Sequence, residues 1–184
     1  MDWWPQAEMH VVEIAERYGL LLEMYLTYCG YHRKELLLQN EVMDKLTSVA
    51  LAVGPPLHKD QRQEVIQEHL RDIELPPKFS LPLNPKWVCK GLRKQKCKTM
   101  DSKKVPLWLV FENADDDGDA FLVIFKAGDD LRQDLLTLQM LKIMDNIWQG
   151  EDMDLKLNPY GCVSTGDELG SVLPIYLPRT VMSW

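Results

Sequence analysis

Long apolar runs are missing from this 184-residue sequence. Stretches such as Val49–Val53 are five residues long, far below the roughly 18 that cross a bilayer. That excludes a membrane-spanning helix. The opening Met1-Asp2-Trp3-Trp4-Pro5 has neither the basic region nor the apolar region of a secretory leader, so the expectation is an intracellular, cytoplasmic chain. Cysteine is scarce and scattered: Cys29, Cys89, Cys97 and Cys162, with no C-x2-C pair. A disulfide scaffold is excluded, a zinc site is disfavoured, and free thiols are expected. Glycine-rich phosphate loops of the G-x-x-x-x-G-K-[ST] and G-x-G-x-x-G kinds are absent. His10, His32, His58 and His69 have no metal-ligand spacing, and no local Ser/His or Cys/His pair suggests a nucleophile.

What is present is ordinary globular material. Hydrophobic residues make up 46% and charged residues 27%, which excludes disorder throughout. The net charge is −7 but is unevenly spread. Lys86 to Lys104 holds eight Lys/Arg and one Asp, a net of +7, leaving −14 for the rest. A basic block in an acidic chain reads as a local anion site or a solvated basic strand, and not as a nucleic-acid coat.

The first 73 residues read as helices. Val11, Ile14, Ala15, Tyr18, Leu21, Leu22, Tyr25 and Leu26 form one stripe, stopped by Gly30. Leu38, Val42, Leu46, Val49 and Val53 form a second, ended by Gly54-Pro55-Pro56. A third helix is expected to open at Asp60 as cap, with Gln63 reaching back. Pro76-Pro77, Pro82 and Pro85 mark an extended linker, with a domain boundary near residue 80.

Beyond it, Leu107–Phe111 and Phe121–Phe125 read as a hairpin around Asp115-Asp116-Asp117-Gly118-Asp119. That acidic turn fails the EF-hand template, with Ala120 at the sixth position and Lys126 at the twelfth. It reads as a solvated turn. Asp129–Trp148 is a helix whose broad apolar face comprises Leu131, Leu135, Leu138, Met140, Leu141, Met144 and Trp148. Asp154–Val163 and Val172–Leu177 are expected strands. The fold class is therefore α+β: helices, then an antiparallel sheet with one long helix.

One constellation carries chemistry. Ser102-Lys103-Lys104 sits in a turn before a strand, where amides, hydroxyl and ammonium groups can cradle phosphates. Lys126 ends the next strand, and Asp134 lies one turn into the following helix. A strand-end lysine facing a helix acid is how kinases hold nucleotide phosphates. Surface Lys/Asp pairs are common, so residue types alone leave this open.

The residues around it resemble a known family. Val123-Ile124-Phe125-Lys126-Ala127-Gly128-Asp129-Asp130-Leu131-Arg132-Gln133-Asp134 resembles the I-F-K-x-G-D-D-L-R-Q-D signature of phosphoinositide 3-kinases. Met100-Asp101-Ser102-Lys103-Lys104-Val105-Pro106-Leu107-Trp108-Leu109 resembles that family's phosphate-binding loop. Met144–Trp148 and Pro159–Asp167 continue the match in order, and Tyr18–Leu26 with Cys29-Gly30 resembles the end of the family's helical domain. The likeness spans residues 15–172 and is closest to class I catalytic subunits.

The resemblance implies a division into helical-domain helices (1–75), linker and first strand (76–99), kinase N-lobe (100–172) and a divergent tail (173–184). It implies ATP-dependent phosphorylation of the inositol 3-hydroxyl of phosphoinositides, with magnesium, a regulatory subunit, and peripheral recruitment to membranes. Ser102 and Lys103 would contact phosphates. Met100, Pro106 and Trp108 would roof the adenine. Lys126 would hold the α-phosphate, with Asp134 and Tyr160 lining the pocket behind it, and Val172 completes the nucleotide-binding set. No residue is assigned to catalysis or to a metal. After Val172 the family pattern stops: Leu173-Pro174-Ile175 stands where a Glu-Val hinge is expected, and D-R-H-x-x-N and D-F-G are absent. Two readings compete: a kinase fragment inactive by itself, and a non-catalytic module that binds regulatory partners.

Overall fold

In a computed structural model, residues 12–166 and 169–172 are described. Three helices come first: α1 (Val12–Tyr28), α2 (His32–Val53) and α3 (Lys59–Asp72). Strands β1 (Phe79–Leu81), β2 (Asn84–Leu92), β3 (Lys98–Thr99), β4 (Leu107–Asn113) and β5 (Phe121–Ala127) follow, then α4 (Arg132–Gly150), β6 (Cys162–Gly166) and β7 (Leu169–Val172). The strands pair antiparallel in the order β1-β2-β4-β5-β7-β6, with β3 also on β4. The fold is α+β.

Each helix ends where its sequence requires. Gly30 takes φ +60, a left-handed conformation that costs glycine nothing and halts α1. In α2, Gln39, Val42, Met43, Leu46, Val49, Ala50 and Val53 are buried at spacings of three and four. The α3 opening differs from expectation. The helix begins at Lys59, and His58 before it makes no side-chain cap. Asp60 lies inside the first turn, and Gln63 is drawn away to the Cys97 carbonyl at 3.3 Å instead of reaching back.

The residues read as a linker make the sheet's edge. Phe79 pairs with Cys89, and Ser80 with Val88, so β1 and β2 form a hairpin. The prolines sit beside it or at the start of β2, where a ladder hydrogen bond is dispensable. One buried cluster joins Leu46, Val49, Val53, Ile66 and Leu70 of α2 and α3 to Phe79, Leu107, Leu109, Phe111 and Phe125 of the sheet. Burying each such side chain is worth roughly 1.5–3 kcal/mol, which is why the helices lie flat on this face. The core therefore runs across residue 80.

Of Asp154–Val163, expected as strand, residues 154–161 are irregular and the last two open β6. Asp152 and Lys156 have φ near +57 and +58, and Asp154 accepts a bond from the Lys156 N–H. Such a local loop competes with a ladder. The expected strand Val172–Leu177 lies outside the described residues beyond Val172.

The apolar faces of α1 and α4 are less covered than their stripes suggest. On α1, Leu26 is buried while Tyr18, Leu21 and Tyr25 are exposed. On α4, Leu138 is buried, as is Leu131 just before it, while Met140 and Met144 are exposed. No described helix is long and apolar enough to cross a membrane.

Candidate functional site

The sheet has two unlike faces because strand side chains alternate. Leu107, Leu109, Phe111, Val123 and Phe125 are buried towards the helical core. Trp108, Ile124 and Lys126 stand on the other face and are half-buried. The register lines residues up across the strands: Lys98 opposite Trp108, Trp108 opposite Ile124, Ile124 opposite Val172, and Val172 opposite Cys162. The Lys98 ammonium lies 5.9 Å from the Trp108 ring centroid. Trp108, Lys126 and Val172 are thus brought to one region by backbone pairing alone.

Lys126 precedes the turn at Gly128, whose φ of +77 favours glycine. That turn lets Asp129 fold back, and its Oδ2 lies 2.9 Å from the Lys126 Nζ. The nearest carboxylate partner is Asp129, and Asp134, one turn further on, acts at longer range. Burial pushes the Lys126 pKa down, but Asp129, Asp134 and Cys162 together hold it above its usual value. The lysine is firmly cationic. Burial and the Asp134 charge push the Cys162 thiol up to about 11, against the pull of Lys126. Asp134 and Tyr160 share a cleft of about 260 Å³ with Gln133, Thr137, Leu138 and Leu141.

The loop between β3 and β4 is closed by its own backbone. The Met100 N–H donates to the Pro106 carbonyl at 2.8 Å, and the Val105 N–H to the Ser102 carbonyl at 3.1 Å. Val105 is buried with φ +48, a strained position for a β-branched residue. Pro106 is buried, Met100 half-buried, and Ser102, Lys103 and Lys104 exposed. A Cβ at Gly128 would lie 3.9 Å from the Lys104 ammonium. The loop therefore meets the turn that follows Lys126, and a second cation joins the first. Two lysines at one turn beside a half-buried aromatic face can hold an anion attached to a flat ring.

Much of the basic block serves the fold. Lys90 pairs with Asp116, and Lys94 donates to the Arg71 carbonyl at 3.0 Å. The acidic turn is built from Asn113 and Asp115 side chains that accept bonds from the Asp115 and Asp117 N–H groups. Among the described residues no group of three or more His, Cys, Asp or Glu is placed to hold a metal ion. The side chains of the described residues do not fit a magnesium site.

Sequence reasoning did not single out Asp129 as the partner of Lys126, although a spacing of three across a glycine was available as a signal. It also undervalued Lys104, whose reach to Gly128 depends on how two loops meet.

Residues 120–183 match the phosphatidylinositol 3- and 4-kinase family. The chain is 51% identical over 179 residues to phosphatidylinositol 3-kinase 2 of Dictyostelium discoideum, covering 97% of this chain and 10% of that protein. It is also 51% identical over 170 residues to phosphatidylinositol 3-kinase 1 of the same organism, covering 92% and 11%. The chain thus spans about a tenth of the length of these curated relatives. The family match continues to residue 183, past Val172, where a departure was expected.

Proposed function

We propose that this chain is part of a class I-like phosphatidylinositol 3-kinase and supplies the face that holds ATP. The paired, partly buried Lys126 beside the Gly128 turn supports this reading most. Lys126 holds the α-phosphate, and Ser102, Lys103 and Lys104 take the outer phosphates. Met100, Pro106 and Trp108 cover the adenine, Val172 lies along its edge, and Asp134 and Tyr160 line the pocket behind. Under this reading residues 1–75 are the last helices of a helical domain, 76–99 a linker with the first strands, and 100–172 an N-lobe.

Phosphoryl transfer needs groups that orient the attacking hydroxyl and bind magnesium. The sequence has no D-R-H-x-x-N or D-F-G, so the chain by itself transfers no phosphate. Within a longer enzyme it serves phosphorylation of the inositol 3-hydroxyl of phosphoinositides, in the cytoplasm and at membrane surfaces, with a regulatory subunit as partner. The second reading, a non-catalytic module that binds such partners, is favoured by one observation: the exposed apolar side chains of α1 and α4.

A segment exchange tests the proposal. The aligned 179 residues replace their counterpart in the Dictyostelium phosphatidylinositol 3-kinase 2. Phosphate transfer from ATP to phosphatidylinositol vesicles is then measured for the chimaera and for the isolated chain. Turnover by the chimaera and none by the chain is expected. A folded but inactive chimaera, or turnover by the isolated chain, contradicts the reading.

A further inference from the structure

Helix α3 meets the strand-and-loop segment that carries Ser102 along one of its faces. Lys59, Gln63 and Gln67 are four residues apart, so they point the same way. The Lys59 ammonium lies 2.6 Å from Oδ2 of Asp101. The Gln63 amide donates to the Cys97 carbonyl at 3.3 Å. The Gln67 amide donates to the Cys97 carbonyl at 2.9 Å and to the Lys94 carbonyl at 3.1 Å. As α3 advances, its partners recede from Asp101 to Lys94, so helix and segment run antiparallel. Lys94 returns the contact, donating to the Arg71 and Ile73 carbonyls at 3.0 and 3.4 Å. The segment is also fixed from behind, where the Val110 N–H of β4 donates to the Cys97 Sγ at 3.4 Å.

We propose that α3 registers the loop 101–106 against the sheet, with Lys59 and Asp101 as the positioning pair at its tip. The proposal concerns how the loop is held; its consequence for ATP rests on the reading above. Gln63 and Gln67 fix the incoming strand but stop at Cys97. Asp101 adjoins Ser102, so its link to Lys59 is the α3 contact nearest the phosphate-holding residues. The loop needs such a link because Val105 holds a strained φ of +48, which persists only when its surroundings fix it. Lys59 and, more weakly, Arg62 hold the Asp101 carboxyl below its usual range, so Asp101 stays a carboxylate at neutral pH. Both side chains are mostly exposed, at 66% and 73%, so the link acts on the loop and contributes little to global stability.

The test uses the full chain. Lys59→Ala, Asp101→Ala and the exchanged pair Lys59→Asp with Asp101→Lys are compared. Amide hydrogen exchange is followed in peptides covering residues 100–105, ATP affinity by titration, and thermal unfolding as a control. Each single variant is expected to speed loop exchange and weaken ATP binding by about two- to fivefold, the range of an exposed ion pair. The unfolding temperature should hold, and the exchanged pair should restore both readouts. If ATP binds but neither readout responds to the single variants, the registration is wrong and the nucleotide reading stands. If loop exchange responds and is restored, but no version binds ATP, the registration stands and the nucleotide reading fails. If the exchanged pair behaves like the single variants, the direct Lys59–Asp101 link is overturned.

Discussion

Lys126 combines partial burial, a fixed strand position and a carboxylate partner 2.9 Å away. Its folded pKa lies above the ordinary 10.5. The contribution of its pairing is therefore fully present below that value and fades only as pH rises through the folded value. A pH titration of lysine ammonium signals should show no change at Lys126 between neutrality and the ordinary lysine range. Loss of its charge below that range would contradict the pairing. In a longer relative carrying this segment, Lys126→Met should lower lipid kinase turnover about a hundredfold, a barrier increase of about 2.7 kcal/mol. Lys104→Met should cost less, because that side chain reaches the site from an exposed loop.

Cys162 faces the same lysine and gives an independent probe of the site. A thiol moved from 9.0 to about 11 carries about a hundredth of the ordinary thiolate at neutral pH. Greater intrinsic nucleophilicity offsets part of this, leaving reaction with a disulfide reagent about tenfold slower than for an ordinary thiol. Burial raises Cys89 to about 12 and Cys97 in the same direction, so both should also react slowly until the chain unfolds. Rapid labelling of Cys162 in the folded chain would contradict its placement.

At the scale of elements, what was legible depended on whether a signal was local. The α2 stripe was readable because its helical period is also its burial pattern, from Val42 to Val53. The β4–β5 hairpin was readable because Leu107 to Phe125 alternates around an Asp/Gly turn. The place of Lys126 at the end of a strand was readable because the β-rich residues before it are contiguous and Gly128 follows. The α3 cap was not, because Gln63 has a better partner 34 residues away in Cys97. The irregular 154–161 segment was missed because the positive φ at Asp152 and Lys156 leaves no composition signal. The same logic makes Gly128 testable. An alanine there must hold φ +77 and approach Lys104, so Gly128→Ala should destabilise the chain by about 1–2 kcal/mol. Urea unfolding measures this, and an unchanged midpoint would show that the turn is not left-handed.

At the scale of the molecule, one core ties α2 and α3 to the sheet, yet large apolar side chains remain exposed along α1 and α4. On α4, Leu136, Met140, Ile143 and Ile147 are exposed at helical spacing and form a stripe. On α1, Tyr18, Leu21 and Tyr25 do the same. Such surfaces promote association. The chain expressed alone should self-associate with rising concentration in sedimentation velocity, and Met140→Lys with Ile143→Glu should reduce this. A single monomeric species throughout would contradict it.

The central claim is that this chain holds ATP through Lys126. Equilibrium titration of the chain with ATP tests it most directly, comparing the parent sequence with Lys126→Met and with Lys90→Met, whose lysine pairs with Asp116 away from the site. Saturable binding is predicted, weakened by about ten- to a hundredfold in Lys126→Met, the range of a charge-assisted hydrogen bond, and unchanged in Lys90→Met. Absence of saturable binding, or equal affinity for the parent and Lys126→Met, would contradict the claim.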